Sequence, residues 1–165
     1  MGMEFFLREG RAEDAEAMGC VHYTSWKETY GGLIPKEFYD YLKLENYIKR
    51  ARQYYRNAIL AVVDNQIVGF VMYLEDANDI SSIKPASEIT ALYVLKQYQK
   101  KGIGHALMQE AYERVTKNKI VLFVLENNEK AIRFYKNLGF VFTGHKIIQP
   151  VPGGELVEVE MVLER

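Results

Sequence analysis

Gln99-Lys100-Lys101-Gly102-Ile103-Gly104 sets two lysines and two glycines between a stretch of strand character and a stretch of helical character. The first amides of a helix have no partner inside it and point along its axis, with the positive end of the helix dipole behind them. An anion placed there collects several hydrogen bonds at once. Glycines at 102 and 104 remove side chains that would hold a pyrophosphate away from the backbone, and Lys96, Lys100 and Lys101 add positive charge beside it. Three phosphate-binding patterns compete. A P-loop needs Gly-x-x-x-x-Gly-Lys-Ser/Thr, which appears nowhere. The dinucleotide fingerprint needs a third small residue where the chain has Leu107, and a first glycine tight against the strand, where Leu95–Lys101 intervenes. Glu126 lies at the distance of a ribose-binding acid but does not outweigh those mismatches. Gln-x-x-Gly-x-Gly fits in full. Taken alone, it describes an ordinary glycine-bearing loop with solvated lysines as well as an anion seat.

The second stretch is Asn128-Glu129-Lys130-Ala131-Ile132-Arg133-Phe134-Tyr135-Lys136-Asn137-Leu138-Gly139-Phe140. Asn128 and Tyr135 are seven apart, so they share one helix face about 10.5 Å apart along the axis. Ala131 lies between them and leaves room for something narrow to run past. Phe134 and Leu138 form a different stripe, read as core. The three histidines, His22, His105 and His145, titrate in a useful range but sit in no motif. With the single cysteine, Cys20, they show no metal-ligand spacing, so no metal is expected. Cys20 lies in an amphipathic helical pattern with no activating base near it in sequence, which predicts a buried, inert thiol.

The elements that must position these residues follow from periodicity and turn chemistry. Phe5–Arg8 reads as a short strand. Ala12 to about Tyr30 reads as a helix, with Ala15, Met18, Val21 and Tyr23 near the helical period and Gly31-Gly32 as the stop. Pro35 suits the first turn of a second helix, and Glu45–Arg56 a third. Ala58–Val63 and Gln66–Glu75, separated by Asp64-Asn65, read as a hairpin. Ser87–Val94 is a strand, Gly102–Lys117 a helix, Ile120–Leu125 a buried strand and Asn128–Leu138 a helix ended by Gly139. Phe140–His145 and Leu156–Leu163 close the chain as a pair of strands, joined by a loop holding Pro150, Pro152, Gly153 and Gly154. The class is α/β or α+β with a mixed sheet.

With 165 residues, no repeat and no linker, residues 1–165 read as a single domain. A hydrophobic fraction of 48% against 26% charged excludes disorder for most of the chain. The 21 basic and 22 acidic side chains leave no basic excess, so a nucleic-acid partner is not expected. The opening MGMEFFLREG has only a short apolar patch, neither a signal peptide nor a membrane span, so a cytoplasmic location and no membrane partner are expected.

Glu88–Val94 running into Gln99–Gly104, followed by Asn128–Phe140 after a helix and strand of suitable length, resembles the GNAT superfamily of acetyl-CoA-dependent N-acetyltransferases. Ser25–Pro35 is similar to the first helical region of many bacterial members. Within the superfamily the chain is most similar to small polyamine (spermidine/spermine) acetyltransferases. The resemblance implies a mixed, mostly antiparallel sheet flanked by helices and splayed after Ser87–Val94, with acetyl-CoA in the splay. It implies that the pantetheine arm pairs with the backbone of Leu92, Tyr93 and Val94. The pyrophosphate would lie on amides of Gln99, Lys100, Lys101, Gly102, Ile103 and Gly104, with His105, and Ala131 would line the path. Asn128 would bond the pantetheine arm or a water, and Tyr135 would lie near the thioester sulfur.

The chemistry that follows is transfer of an acetyl group to a primary amine by direct attack. An alkylamine is protonated at neutral pH, with a reference pKa of about 10.4, and must lose a proton first. The amide of Val94 would stabilise the oxyanion and Tyr135 would protonate the departing thiolate. Glu88, opening the strand, is the candidate general base, through water or directly; a solvent-facing strand-end carboxylate is the plainer alternative. Trp26, Tyr30, Tyr39 and Tyr41 could pack an alkyl chain or cradle a cation, and Asp76 and Asp79 could attract a polyamine. The alternatives are an acetyl-CoA sensor without catalysis, O-acetylation or transfer of a longer acyl chain, and acetylation of protein N-termini or lysines. The resemblance also points to a homodimer, for which Leu156–Leu163 offers a strand to pair.

Overall fold

The computed structural model describes residues 3–165. The chain runs β1 (Phe6–Glu9), α1 (Ala15–Tyr30), α2 (Lys36–Tyr41), α3 (Leu44–Tyr54), β2 (Ala58–Val63), β3 (Gln66–Leu74) and β4 (Ser87–Val94). It continues with α4 (Ile103–Arg114), β5 (Lys119–Leu125), α5 (Glu129–Asn137), β6 (Val141–Val151) and β7 (Gly154–Glu164). The strands form one seven-stranded sheet in the order β1-β2-β3-β4-β5-β7-β6. Every pairing is antiparallel except β4 with β5. The mixed, mostly antiparallel sheet expected from the sequence is therefore present.

That one parallel pair decides where the molecule opens. β4 and β5 are in register only at Ser87↔Ile120 and Glu88↔Val121, after which they diverge. On the β3 side the partners step from Met72↔Ala91 to Tyr73↔Ile89, so Thr90 is the extra residue of a bulge. A bulge bends its strand and increases the local twist, which here carries the end of β4 away from β5. The amide of Leu95 donates to Val68 O of β3 at 2.9 Å. Successive peptide groups along a strand face opposite edges, so the N–H and C=O of Val94, and by the same alternation those of Leu92, face the opening.

Two layers of helices hold this shape. On one face, Ile103, Leu107, Met108 and Ala111 of α4 pack on Ile120, Leu122 and Met161 of the sheet. Burying each large apolar side chain contributes about 1.5–3 kcal/mol, which fixes α4 against the strands. On the other face, Met18 and Val21 of α1 pack with Leu60, Phe70 and Ala91. A smaller cluster of Ile34, Leu125 and Leu156, with Trp26, Tyr30 and Phe38 against it, ties the α1–α2 connection to β5 and β7.

Helix α5 is positioned by both of its ends. Asn128 is its N-cap, with Oδ1 accepting the Ala131 amide at 3.3 Å, a contact worth about 1 kcal/mol. At the far end Gly139 takes φ 103°. There the amide of Phe140 bonds Tyr135 O at 3.1 Å and that of Gly139 bonds Lys136 O at 3.0 Å. This paired closure locks the last turn, and with it the backbone of Tyr135.

Several sequence expectations need correction. Cys20 is exposed on α1, not buried, because it falls off the stripe made by Met18 and Val21. Pro35 is the N-cap of α2 and not in its first turn. α4 ends at Arg114, three residues before Lys117. β6 continues through Pro150 to Val151, and the turn is confined to Pro152-Gly153. Proline is tolerated there because β6 is the edge of the sheet, where an amide can be missing on the open side. Leu156–Leu163 is not free to pair with a neighbour, since β7 has β5 on one side and β6 on the other.

Candidate functional site

The opening between β4 and β5 is a cleft of about 1150 Å³. One end is built by α4 and α5. The first backbone bond at the start of α4 is Ala106 N–H to Gly102 O, 3.0 Å, so the amides of Ile103, Gly104 and His105 are left without a helical acceptor. Gly102 caps the helix at φ 87° and Lys100 sits at φ 61°. The left-handed conformation at Gly102 is one that glycine adopts without steric cost. A Cβ at Gly102 would meet nothing within 4 Å, whereas one at Gly104 would lie 3.3 Å from the Phe134 ring. The two glycines therefore act differently: Gly102 turns the chain, and Gly104 lets α4 approach α5.

Gln99 is more than a loop residue. Its Nε2 donates to Val94 O at 2.9 Å and its Oε1 accepts from Lys130 Nζ at 2.8 Å. It thus ties the end of β4 to α5 across the mouth of the cleft. Lys96, Lys100, Lys130 and Arg133 line this end with His105, giving a cationic rim around the open amides. Lys101 is exposed and is not on the lining, and Ile103 turns its side chain into the core, so only its backbone faces outward. Lys130 and Arg133 were not singled out from the sequence. Their positions on the polar side of α5 were the available signal.

Along the walls, Leu92, Tyr93, Val94, Asn128 and Ala131 all line the cleft. Tyr93 differs from its neighbours. A Cβ on Gly69 of β3 would lie 2.8 Å from Tyr93 O, so the carbonyl of Tyr93 faces β3 and its contribution is the phenol. Trp26 Nε1 donates to that hydroxyl at 2.9 Å. Asn128 is buried, with Oδ1 spent on the cap, and among the described residues its Nδ2 donates to no protein group.

Tyr135 lies on the cleft lining, packed edge-on against Phe134 and Phe140 with ring centroids 5.4 and 5.8 Å away. Burial, reinforced by Tyr93 and Tyr112, raises its pKa above the ordinary phenol value, so it keeps its proton. Tyr30, on α1, is pushed up to about 12, first by burial; the hydroxyl of Tyr93 lowers it, and the charges of Tyr135 and Glu158 add to the rise. Tyr30, Tyr93 and Tyr135 all line the one cleft.

The predicted acidic and aromatic residues divide. Glu88 is buried on β4, with Oε1 accepting Asn78 N at 2.9 Å and Asn78 Nδ2 at 3.2 Å, and it is not on the cleft lining. Glu158 of β7 is on the lining and was not singled out from the sequence. Trp26, Tyr30 and Tyr41 line the cleft; Tyr39 does not, and its ring carries Lys27 Nζ at 3.9 Å. Asp76 and Asp79 lie off the cleft, paired with Lys117 at 3.4 Å and Lys84 at 2.9 Å. His145 Nε2 contacts Ile80 O at 2.9 Å, also off the lining. Among the described residues no group of three His, Cys, Asp or Glu is placed to hold a metal, and no helix is long and apolar enough to cross a membrane.

His22 lies under this wall, stacked on Tyr93 at 4.5 Å and edge-on to Tyr47 at 4.6 Å. Burial, aided by Arg50, lowers its pKa from 6.5 to about 3. The unfolded chain then binds a proton below pH 6.5 that the folded chain refuses, so stability is full above 6.5 and falls as pH drops toward 3. The slope from this group is at most about 1.4 kcal/mol per pH unit. Melting temperatures between pH 7 and 4 should fall more steeply for the wild type than for His22→Phe, which keeps the stacking; equal slopes would contradict the assignment.

Residues 12–140 match the acetyltransferase (GNAT) family. The chain is 30% identical over 151 residues to the spermidine N(1)-acetyltransferase of Thermoplasma acidophilum, covering 84% of this chain and 89% of that protein. It is 24% identical over 148 residues to the N-alpha-acetyltransferase of Sulfurisphaera tokodaii, covering 84% and 81%. Among solved structures, the PaiA N-acetyltransferase of Thermoplasma acidophilum in complex with coenzyme A superposes with a TM-score of 0.69 at 24% identity, covering 99% of this chain and 100% of that one.

Proposed function

Because this chain belongs to the acetyltransferase (GNAT) family, we propose that it moves the acetyl group of acetyl-CoA to a primary amine, a small amine or polyamine, by direct attack on the thioester. The observation that carries the proposal is one cleft that brings together outward-facing amides of β4 on one wall, unpartnered amides of α4 at one end, and a neutral phenol on α5 between them. The diphosphate would lie on the amides of Ile103, Gly104 and His105 within the cationic rim, where anions are favoured. The pantetheine arm would extend along the cleft-facing edge of Leu92 and Val94, whose amides face the opening while Val94 O is held by Gln99, with Asn128 Nδ2 as a further donor. The amide of Val94 would face the thioester carbonyl, where a preorganised donor stabilises the oxyanion.

The acceptor would enter from the opposite face, past Trp26, Tyr30 and Phe38. This wall suits the alkyl part of an amine, and its ring faces suit a cation. Relatives named for spermidine and for N-alpha acetylation support amine acceptors of both kinds. Release of free thiol from acetyl-CoA, measured across polyamines, simple alkylamines, amino acids and peptides, tests the proposal. It predicts turnover with a small amine or polyamine. Tight binding without thiol release on any acceptor would contradict it and mark a sensor.

A further inference from the structure

Three carboxylates share the face of the sheet that looks toward α1 and α2, and their partners differ. Glu160 of β7 is fully buried; its oxygens accept Ser81 Oγ at 2.7 Å, Ser82 N at 3.1 Å, Thr143 Oγ1 at 2.8 Å and the Ser82 hydroxyl. Burial works to raise its pKa, but those four donors outweigh burial and hold it below the usual range, so its oxygens are already engaged as hydrogen-bond acceptors. Glu88 of β4 is held by Asn78 from behind and does not reach the cleft. Glu158 lies on the cleft wall, and among the described residues no side chain or amide donates to it. Its Cα is paired with Leu125 of β5 and Ile147 of β6. The carbonyl of Leu125 accepts the amide of Asn128 at 3.0 Å, so Glu158 stands beside the root of the helix that carries Tyr135.

We propose that Glu158 is the carboxylate that meets the acceptor's ammonium and takes its proton, so that the base of the reaction comes from β7 and not from β4. This rests on the acetyl-transfer reading above. Glu28 and Glu129 also line the cleft, but both are exposed and Glu28 Oε1 accepts the Lys96 amide at 3.2 Å, whereas Glu158 is half-buried. Tyr30 of α1 and Tyr135 of α5 share the cleft lining with Glu158, Glu88 of β4 and Glu160 of β7 lie on the same face of the sheet, and Lys146 of β6, in register with Val159, points to the other face with its ammonium 3.0 Å from Glu126. Tyr30, Tyr135 and Glu158 line the same cleft, so phenol and carboxylate border one volume. Burial among Leu125, Leu156 and the aromatic wall raises the pKa of Glu158, which brings the base nearer to neutrality and makes it better matched to proton transfer. An ammonium there exchanges water for a charge-assisted hydrogen bond.

One proton passes from R–NH3+ to Glu158, and the freed lone pair forms the C–N bond. The carbonyl electrons move to oxygen, then return as the C–S bond breaks. Sulfur receives the proton of Tyr135, whose phenol is restored by the remaining extra proton on nitrogen. Glu158 releases its proton to water after the products leave.

The test compares wild type, Glu158→Gln, Glu158→Asp and Glu88→Gln with an alkylamine acceptor, alongside calorimetric affinity for acetyl-CoA and melting temperature. Glu158→Gln should lose about 10²-fold or more in kcat/KM, the size expected for removal of a general base. It should also lose the acid limb of the pH profile while binding acetyl-CoA within twofold of wild type. Glu158→Asp should recover part of the rate, and Glu88→Gln should lose at least tenfold less than Glu158→Gln. With an acceptor of low basicity, already neutral at the assay pH, the deficit of Glu158→Gln should shrink, which a structural role would not produce. A wild-type rate and intact acid limb in Glu158→Gln would overturn the assignment while leaving acetyl transfer standing. A wild type that binds acetyl-CoA yet acetylates no amine would overturn both.

Discussion

Tyr135→Phe is expected to lower kcat by about 10²-fold or more, with the affinity for acetyl-CoA and the melting temperature close to wild type, since a positioned general acid contributes about 10²–10⁴-fold. The reasoning is local. The phenol sits on the last turn of α5, where its own carbonyl is capped by Phe140 and its ring packs on Phe134 and Phe140. Phenylalanine keeps that packing and removes only the hydroxyl. Burial keeps the phenol protonated throughout the working range, so the group is always ready to donate. A thiol leaving group has a reference pKa of about 8.5 and is expelled poorly without a proton at hand. Steady-state kinetics with a good amine checks this, and an unchanged kcat would remove Tyr135 from the chemistry.

Gly104→Val should weaken acetyl-CoA binding by about 10–100-fold, on the basis that hydrogen bonds to charged groups contribute about 1.5–3 kcal/mol each. The added Cβ would stand 3.3 Å from the Phe134 ring, and two further methyl groups must push either that ring or the start of α4. Either movement misaligns the amides of Ile103, Gly104 and His105. The deficit should vanish when S-acetylpantetheine, which lacks the diphosphate, is the donor. An equal deficit with both donors would mean that the mutation acts on the pantetheine channel or on folding and not on the phosphate seat. Gly104→Ala, needing a shift of only a few tenths of an ångström at the far end of a side chain, should be nearly silent.

What could be read from the sequence was whatever is written locally. Asp64-Asn65 announced its turn, and both residues adopt positive φ, 48° and 65°. The unpartnered amides after Gly102 follow from a glycine at a helix start, and Asn128, the N-cap of α5, and Tyr135 both line the cleft because seven residues are close to two helical turns. Features set by distant partners were not legible. Nothing in Ser87–Val94 says that its pairing with β5 stops after two residues; that depends on the bulge at Thr90, itself a mismatch with β3. The extent of β6 is not legible locally because Pro150 reads as a loop residue, and only a sheet position with an open side makes it compatible with a strand. Glu158 and Glu160 alternate alike along β7, so period alone cannot tell the carboxylate saturated by Ser81, Ser82 and Thr143 from the one left facing the cleft. The sheet class was legible, but which acid faces the substrate was a tertiary fact.

One set of backbone groups is proposed to receive coenzyme A. A titration of 15N-labelled protein with coenzyme A, followed by amide chemical shifts, tests it at the atoms concerned. Saturable shifts are expected at Ile103, Gly104 and His105, together with Leu92 and Val94. Saturating coenzyme A that leaves those five amides unmoved, or that moves only residues outside the β4–β5 opening, would contradict it.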